Sequence, residues 1–421
     1  MKERIKIGIV GYGGRGKGLT SAVILPMTDK DVEVVAVCDL YEDRAKEAAA
    51  DVLQKAGKEP FCTTDYRELV AIPDMDAVMI LSAWESHIPV AIAAMESGKW
   101  VGMEVGGAYS LEDCWQLVHT SEKTGMPCML LENCCYGRRE LMVLNMVKQG
   151  LFGDIMHCAG GYCHDLRSEI AGGKENRHYR LRNYLNRNCE NYPTHEIGPI
   201  AKVLDINRGN RMLSLTSMAS AAKGMHEYIV QNKGENDPLA AVDFAQGDIV
   251  TTTIRCAQGQ TITITLDTTL PRYYSRGFTV RGTKGMYVEE NDSVFLDGKH
   301  NECDWEWKNQ WGNSKEYMEE YDHPLWKEFN KEVRGGHDGM DWLVFRAFFE
   351  SVKHGTQPPI DVYDTALYMS LSALSEKSIS LGGMPVEIPD FTCGKWTERT
   401  SETENWFSLH TICDKPIGCL Y

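Results

Sequence analysis

The chain has 421 residues, 43% of them hydrophobic, enough for two domains with sizeable cores, so a single small module is excluded. A formal charge of -16, with Lys and Arg scattered rather than clustered, leaves no electrostatic footprint for a phosphate backbone, and nucleic acid is not expected as a partner. Fourteen cysteines run from Cys38 to Cys419 without a C-x-x-C pair, which suits reduced thiols in a cytosol better than a disulfide framework.

The start, "MKERIKIGIVGYGGRG", is charged, and its apolar run is cut short by glycines, so it does not read as a secretory signal. No stretch approaches the roughly 20 apolar residues of a membrane span. A cytoplasmic enzyme is the expectation.

From residue 5 to 130, short β-branched runs alternate with helical segments. "IKIGIV", "VEVVAVCD", "DAVMILS", "WVGME" and "PCMLLE" are the strands, and "RAKEAAADVLQKAG", "IPVAIAAMESG" and a stretch from Leu111 are among the helices. This pattern predicts a doubly wound parallel sheet. Beyond it, "DIMHCAGGYCHD", "RMLSLTSMAS", "GDIVTTTIRC", "QTITITLDTT", "GFTVRGT" and "GMYVEE" follow one another with glycine-containing turns and predict a large, mainly antiparallel open sheet in an α+β domain. Helices are expected over 339–354 and 362–381. The expected division is 1–132 for a nucleotide-binding domain, 133–390 for a substrate-binding and oligomerisation domain, and 391–421 for a tail packing on the second domain. An open sheet of that size leads to the expectation of a homo-oligomer.

"GIVGYGGRGKG" follows the first strand and opens a helix, so Gly11, Gly13 and Gly16 fill G-x-G-x-x-G, with Gly14 and Arg15 in the same loop. The glycines permit a tight turn, close approach to a pyrophosphate and close helix packing, while the helix start attracts the anion. The second strand ends at Asp39, placed to bind a ribose 2'-hydroxyl and to repel a 2'-phosphate, so NAD is favoured over NADP. Arg15 pulls weakly the other way. Ligands lie outside the carboxyl ends of parallel strands, which makes Trp84, His87 and Glu104, in "LSAWESH" and "GMEVGGA", candidate cofactor contacts.

With these motifs in view, the N-terminal half resembles the sugar oxidoreductases that include glucose-fructose oxidoreductase and inositol dehydrogenase. Members of that family usually have Glu-Lys-Pro after the fifth strand and an Asp four residues before a catalytic His. Here "MEVGGA" and "NYPTHE" place Val105 and Asn191 at those points. Both departures resemble the glycoside hydrolase family 109 branch, NAD-dependent α-N-acetylgalactosaminidases, and "LENCCYGRRELMVLNMVKQGLFGDI", "GGYCHDLR", "NYPTHEIGPIAKVLDINRGNR" and "RYYSRGFTVRGT" extend the resemblance over nearly the whole chain. It implies sugar contacts at Glu132, Tyr162, His164, Arg180, Tyr192, His195 and Tyr274, and cofactor contacts at the glycine loop, Asp39, Trp84, His87 and Glu104. The chain departs from that branch in a shorter segment between "HDLR" and Arg180, in Glu196 where Gly is frequent, and in lacking an export signal.

The mechanism the resemblance implies is a borrowed hydride: oxidation of a sugar C3 hydroxyl, removal of the C2 proton, elimination of the C1 leaving group, water addition and hydride return. It departs from the two-carboxylate scheme of most glycosidases. It needs a base at the C3 hydroxyl, a second base at C2 and a cofactor that stays bound. His195 suits the first task. Ile197, Ile200, Ala201 and Leu204 form an apolar stripe at helical spacing, and His195 lies off it, facing away from the packed side. Tyr192, held extended by Pro193, either orients His195 or takes the C2 proton, and Tyr162 competes for that second role. Tyr162 and His164, two apart, share one strand face. The fork of Arg180 can bind hydroxyls or an acetamido carbonyl. No metal-binding spacing is present, and none is needed; "GHDGMD" at 336–341 reads as a loop capping the next helix. An NAD-dependent sugar or polyol dehydrogenase of the same fold is the alternative.

Overall fold

The computed structural model describes residues 3–300, 307–399, 404–413 and 419–421. It contains two compact units: Met1–Gly137 with His323–Leu367 and Thr400–Tyr421, and Arg138–Asp322 with Tyr368–Arg399. Among the described residues no helix is long and apolar enough to cross a membrane.

The first unit is built on strands β1 Ile5–Val10, β2 Val32–Cys38, β3 Phe61–Thr63, β4 Ala77–Ile80, β5 Trp100–Met103 and β6 Cys128–Leu130. All pair in parallel, in the order β3-β2-β1-β4-β5-β6. Central strands buried on both faces explain the continuous apolar runs: every residue of β4 is buried. The intervening helices carry the expected punctuation. Helix Leu111–Thr124 is capped by Ser110, whose hydroxyl accepts from the Asp113 amide, and it ends on Gly125 at φ 68°. Strand β3 escapes the sequence reading, because a three-residue edge strand with an exposed Phe61 shows no alternation.

The second unit carries β7 Ile155–Cys163, β8 Met212–Ala219, β9 Ile249–Cys256, β10 Thr261–Asp267, β11 Thr279–Gly282, β12 Gly285–Val288, β13 Ser293–Leu296 and β14 Val386–Glu387. Their order is β13-β12-β11-β7-β10-β9-β8-β14, antiparallel throughout except for the parallel pair β7 and β10. Strand β9 alternates buried and exposed residues along its length, so one face of the sheet is packed and the other bears Thr251, Thr253 and Arg255.

The expected domain limits need correction. The first unit is not continuous from 1 to 132: residues 323–367 return to it, and the described residues of 400–421 belong to it rather than to the second unit. Helix Met340–His354 is almost wholly buried there, and Arg346, itself fully buried, donates from Nη1 to both oxygens of Asp31 at 2.9 and 3.1 Å. Trp342 and Arg346 bond the carbonyls of Leu420 and Cys419. Local periodicity marks these segments as helix or tail but carries no information on which core they join.

Candidate active site

In the first unit the glycine loop leaves β1 at Gly11, whose φ of 104° calls for glycine and whose hypothetical Cβ would sit 2.5 Å from the Ser82 backbone. A Cβ on Gly16 would meet the Gly11 carbonyl at 2.5 Å, whereas one on Gly14 would meet nothing within 4 Å. Two glycines therefore pack the turn against the strands, and the third leaves open backbone where a pyrophosphate can approach. Asp39, buried just past β2, is oriented by amides of Tyr12 at 2.6 Å and Tyr41 at 2.9 Å.

Trp84 opens helix Trp84–Glu96 and is buried, its indole 2.5 Å from where a Cβ on Gly106 would stand, which accounts for the first glycine of "MEVGGA". His87 is fully buried; its Nε2 meets the Ser82 carbonyl at 3.0 Å and its Nδ1 has no hydrogen-bond partner within the protein. Burial holds its pKa down at about 4, so it is neutral at pH 7. Open glycine backbone, an oriented carboxylate and a buried ring nitrogen awaiting a partner suit a dinucleotide. Glu132 also belongs to this unit, where its Oε1 accepts from the Cys134 amide at 3.0 Å.

The loop at 336–341 does something other than cap. Helix Met340–His354 has Gly339 at its N-cap and no side-chain cap bond. Instead Asp341 receives both arms of Arg15, at 2.8 and 3.0 Å, with Asn133 Nδ2 at 2.8 Å and His337 Nδ1 at 2.8 Å. Burial would raise the Asp341 carboxyl, but His337 and Arg15 outweigh it and hold it well below the usual carboxylate range. Neither Asp341 nor Asn133 carries a spacing that would reveal it in the sequence.

In the second unit six of the sequence-derived residues come together. Tyr162 and His164 leave the end of β7, with Tyr162 Oη 3.1 Å from His164 Nδ1. Tyr192 Oη lies 3.4 Å from His195 Nε2, and the rings of Tyr162 and Tyr192 are 4.4 Å apart between centroids. Tyr274, half exposed, meets His164 edge-on at 5.1 Å. Arg180 is buried with its guanidinium 5.1 Å from the Tyr192 centroid and 5.9 Å from that of Tyr162, within cation-π range. Its Nε pairs with Glu169 at 2.6 Å, a positioning contact that the sequence reading missed. Burial, then Arg180, depress the His164 pKa, which keeps that ring able to accept a proton.

His195 stands in the first turn of helix Thr194–Val203, as its apolar stripe implied: Ile197, Ile200 and Ala201 are buried while His195 is half-buried. Pro199 sits inside that helix and has no N–H to offer the His195 carbonyl four residues back. The helix rests on β7 at Gly160, where a Cβ would fall 2.8 Å from Glu196 Cβ. Glu190 precedes the cluster, fully buried; burial pushes its carboxyl up to about 8 against a backbone contact from Tyr192, so it is protonated at pH 7.

The model for the C-terminal domain of glycosyl hydrolase 109 matches residues 136–398, and that of the oxidoreductase family with an NAD-binding Rossmann fold matches residues 5–131. The chain belongs to glycosyl hydrolase family 109. Among family members, a Parabacteroides distasonis protein is 39% identical, over 94% of this chain and 88% of its own length. The α-N-acetylgalactosaminidase of Tannerella forsythia is 38% identical over the same shares. In fold the chain is similar to an inositol dehydrogenase homologue from Azotobacter vinelandii solved with NAD+, at a TM-score of 0.65 and 15% identity over 91% of this chain and 97% of that one. This family 109 member is thus a glycoside hydrolase with a nicotinamide-binding fold.

Proposed function

We propose that this family 109 enzyme hydrolyses terminal α-N-acetylgalactosaminides through transient oxidation at C3, with an NAD that is never released. What supports the reading is the pair of Tyr–His hydrogen bonds beside Arg180, because the route requires two protons to be taken from one sugar ring and the site offers two proton-accepting pairs.

A bound nicotinamide supplies a hydride acceptor and later a hydride donor. The chain's own residues handle the protons. His195 takes the proton of the C3 hydroxyl, with Tyr192 holding the ring in place. The C3 carbonyl acidifies C2-H, and the Tyr162 oxygen takes that proton while its own phenolic proton passes to neutral His164 3.1 Å away; the leaving oxygen takes up a proton from water as the C1–oxygen bond breaks. Arg180 offers a fixed positive charge to the oxyanion that builds up at C3 in that step. Water then adds at C1 and gives up its second proton to solvent, matching the one taken by the leaving group; His164 reprotonates Tyr162 as Tyr162 returns a proton to C2, His195 returns one to the C3 oxygen, and the ring leaves with no net redox change. Asp39 disfavours a 2'-phosphate and selects NAD.

The test is incubation with a para-nitrophenyl α-N-acetylgalactosaminide in deuterated water, following aglycone release and NADH absorbance together. Aglycone release with deuterium incorporated at C2 and no lasting NADH is the expected result. Net NADH from free sugar identifies a dehydrogenase instead, and hydrolysis without C2 exchange rules out the elimination route.

A further inference from the structure

The residues that fix Arg15 define a device no part of the hydrolytic scheme uses. Arg15 stands in the first turn of the short helix Gly14–Leu19 that follows β1; Glu104 directly follows β5; β4 lies between those two strands in the sheet. Arg15 Nε meets Glu104 Oε1 at 3.1 Å, and its two terminal nitrogens fork onto Asp341 at 2.8 and 3.0 Å. The side chain therefore crosses over the carboxyl end of β4. That line runs above the gap between β1 and β4, where the connections turn to opposite sides of the sheet and where such folds place a dinucleotide.

Both anchors are buried and separately fixed. Glu104 Oε2 accepts from the Val105 amide at 2.8 Å, and Asp341 is held by Asn133 and His337. Gly336 makes room, since a Cβ there would stand 2.8 Å from Asp341 Oδ2. His337 and Asp338 adopt φ of 49° and 53°, left-handed conformations that such residues seldom take. Strain of that kind persists where the surroundings impose it, and it accompanies sites with a task.

We propose that Arg15 is a strap across the cofactor crevice, held shut by Glu104 and Asp341, and that it sets how slowly the dinucleotide leaves. Asp341 is the positioning residue, acting through the Arg15 fork and not on the cofactor. The inference rests on the bound-nicotinamide part of the reading above and is independent of the sugar. A recycled cofactor needs a long residence time, and a bidentate ion pair is geometrically specific in a way that a lone positive charge is not.

The experiment measures NAD release from the purified holoenzyme, without sugar, by dilution into an NAD-scavenging dehydrogenase. Arg15→Gln and Asp341→Asn are each expected to speed release by about tenfold or more, and the double variant to be no faster than Arg15→Gln alone. Arg15→Lys, which keeps the charge and loses the fork, should resemble Arg15→Gln. Arg15 is partly exposed, so its variants keep the inference testable even if Asp341→Asn fails to fold. Wild-type release rates in Arg15→Lys, or multiplying effects in the double variant, would overturn the strap. Failure of the wild type to bind NAD would remove the cofactor reading and the strap with it, whereas fast release in the variants beside a silent sugar assay leaves the strap standing.

Discussion

Tyr192 Oη and His195 Nε2 lie 3.4 Å apart across a single turn that begins at Pro193, so one rigid stretch of backbone presents a phenol and an imidazole as a unit. Proline at 193 fixes its own φ and biases Tyr192 toward extended backbone, which leaves the pair little freedom to part. His195→Ala should lower kcat/KM by about 10²–10⁴, the usual contribution of a positioned base. Tyr192→Phe should show a smaller loss, and the double variant should lose less than the two combined, since both act on one proton. Steady-state kinetics on the nitrophenyl glycoside checks this, with NAD content unchanged in each variant.

Gly160 sets how close the His195 helix comes to β7. Gly160→Ala would drive a methyl into Glu196 Cβ at 2.8 Å and move the helix by a few tenths of an ångström or more. A shift of that kind in a general base costs about ten- to a hundredfold in kcat. Crystallography or exchange mapping should show the helix displaced, and turnover should fall while NAD stays bound. Unchanged kcat would show that the site tolerates the movement.

Glu190 carries a pKa raised from 4.5 to about 8 by burial. The unfolded chain therefore sheds this proton at lower pH than the folded one, and stability declines as pH rises from about 4.5 towards 8. Glu190→Gln, which keeps the shape of the protonated acid, should melt higher than the wild type, with a difference that widens between pH 5 and pH 8. Thermal melts across that range decide it; a constant difference would mean the carboxyl is ionised throughout.

Two buried histidines act in the opposite sense. His87 is held at about 4 and His323 at about 3, against 6.5 unfolded, both through burial. Below pH 6.5 the unfolded chain takes up protons that the folded one refuses, so stability falls as the pH drops towards 4, by roughly 3 kcal/mol for His87. Denaturant titrations at pH 7 and pH 4.5 should show the loss, and His323→Asn, which can still cap helix Pro324–Phe329 as the His323 Nδ1 does at the Leu325 amide, should reduce it.

The parallel sheet and the glycine loop were legible because they repeat a local rule: strand, glycine turn and helix follow one another within 35 residues. The Tyr–His pairs were legible only in part. Tyr162 and His164 share a strand face by simple alternation, but their meeting with Tyr192 and Arg180 depends on strand pairing that no short-range pattern encodes. Asp341 was hidden more deeply, since an acidic residue in the first turn of a helix is what capping alone would place there. Glu190 escaped because a carboxylate in a loop is ordinarily solvated, and only burial makes it unusual.

Arg346 and Asp31 are separated by 315 positions in the chain yet form one buried ion pair. A ribosome adding about 5–20 residues per second would therefore expose Asp31 for roughly 15–60 seconds before its partner is made. Burial without Arg346 would raise the Asp31 carboxyl, which Arg346 and Lys353 instead hold low. The nucleotide-binding unit is thus not an early-folding module on which the remainder is hung. Its Asp31–Arg346 pair can close only after the sugar-handling residues from Tyr162 to Tyr274, which lie between the two partners in the chain, have been made.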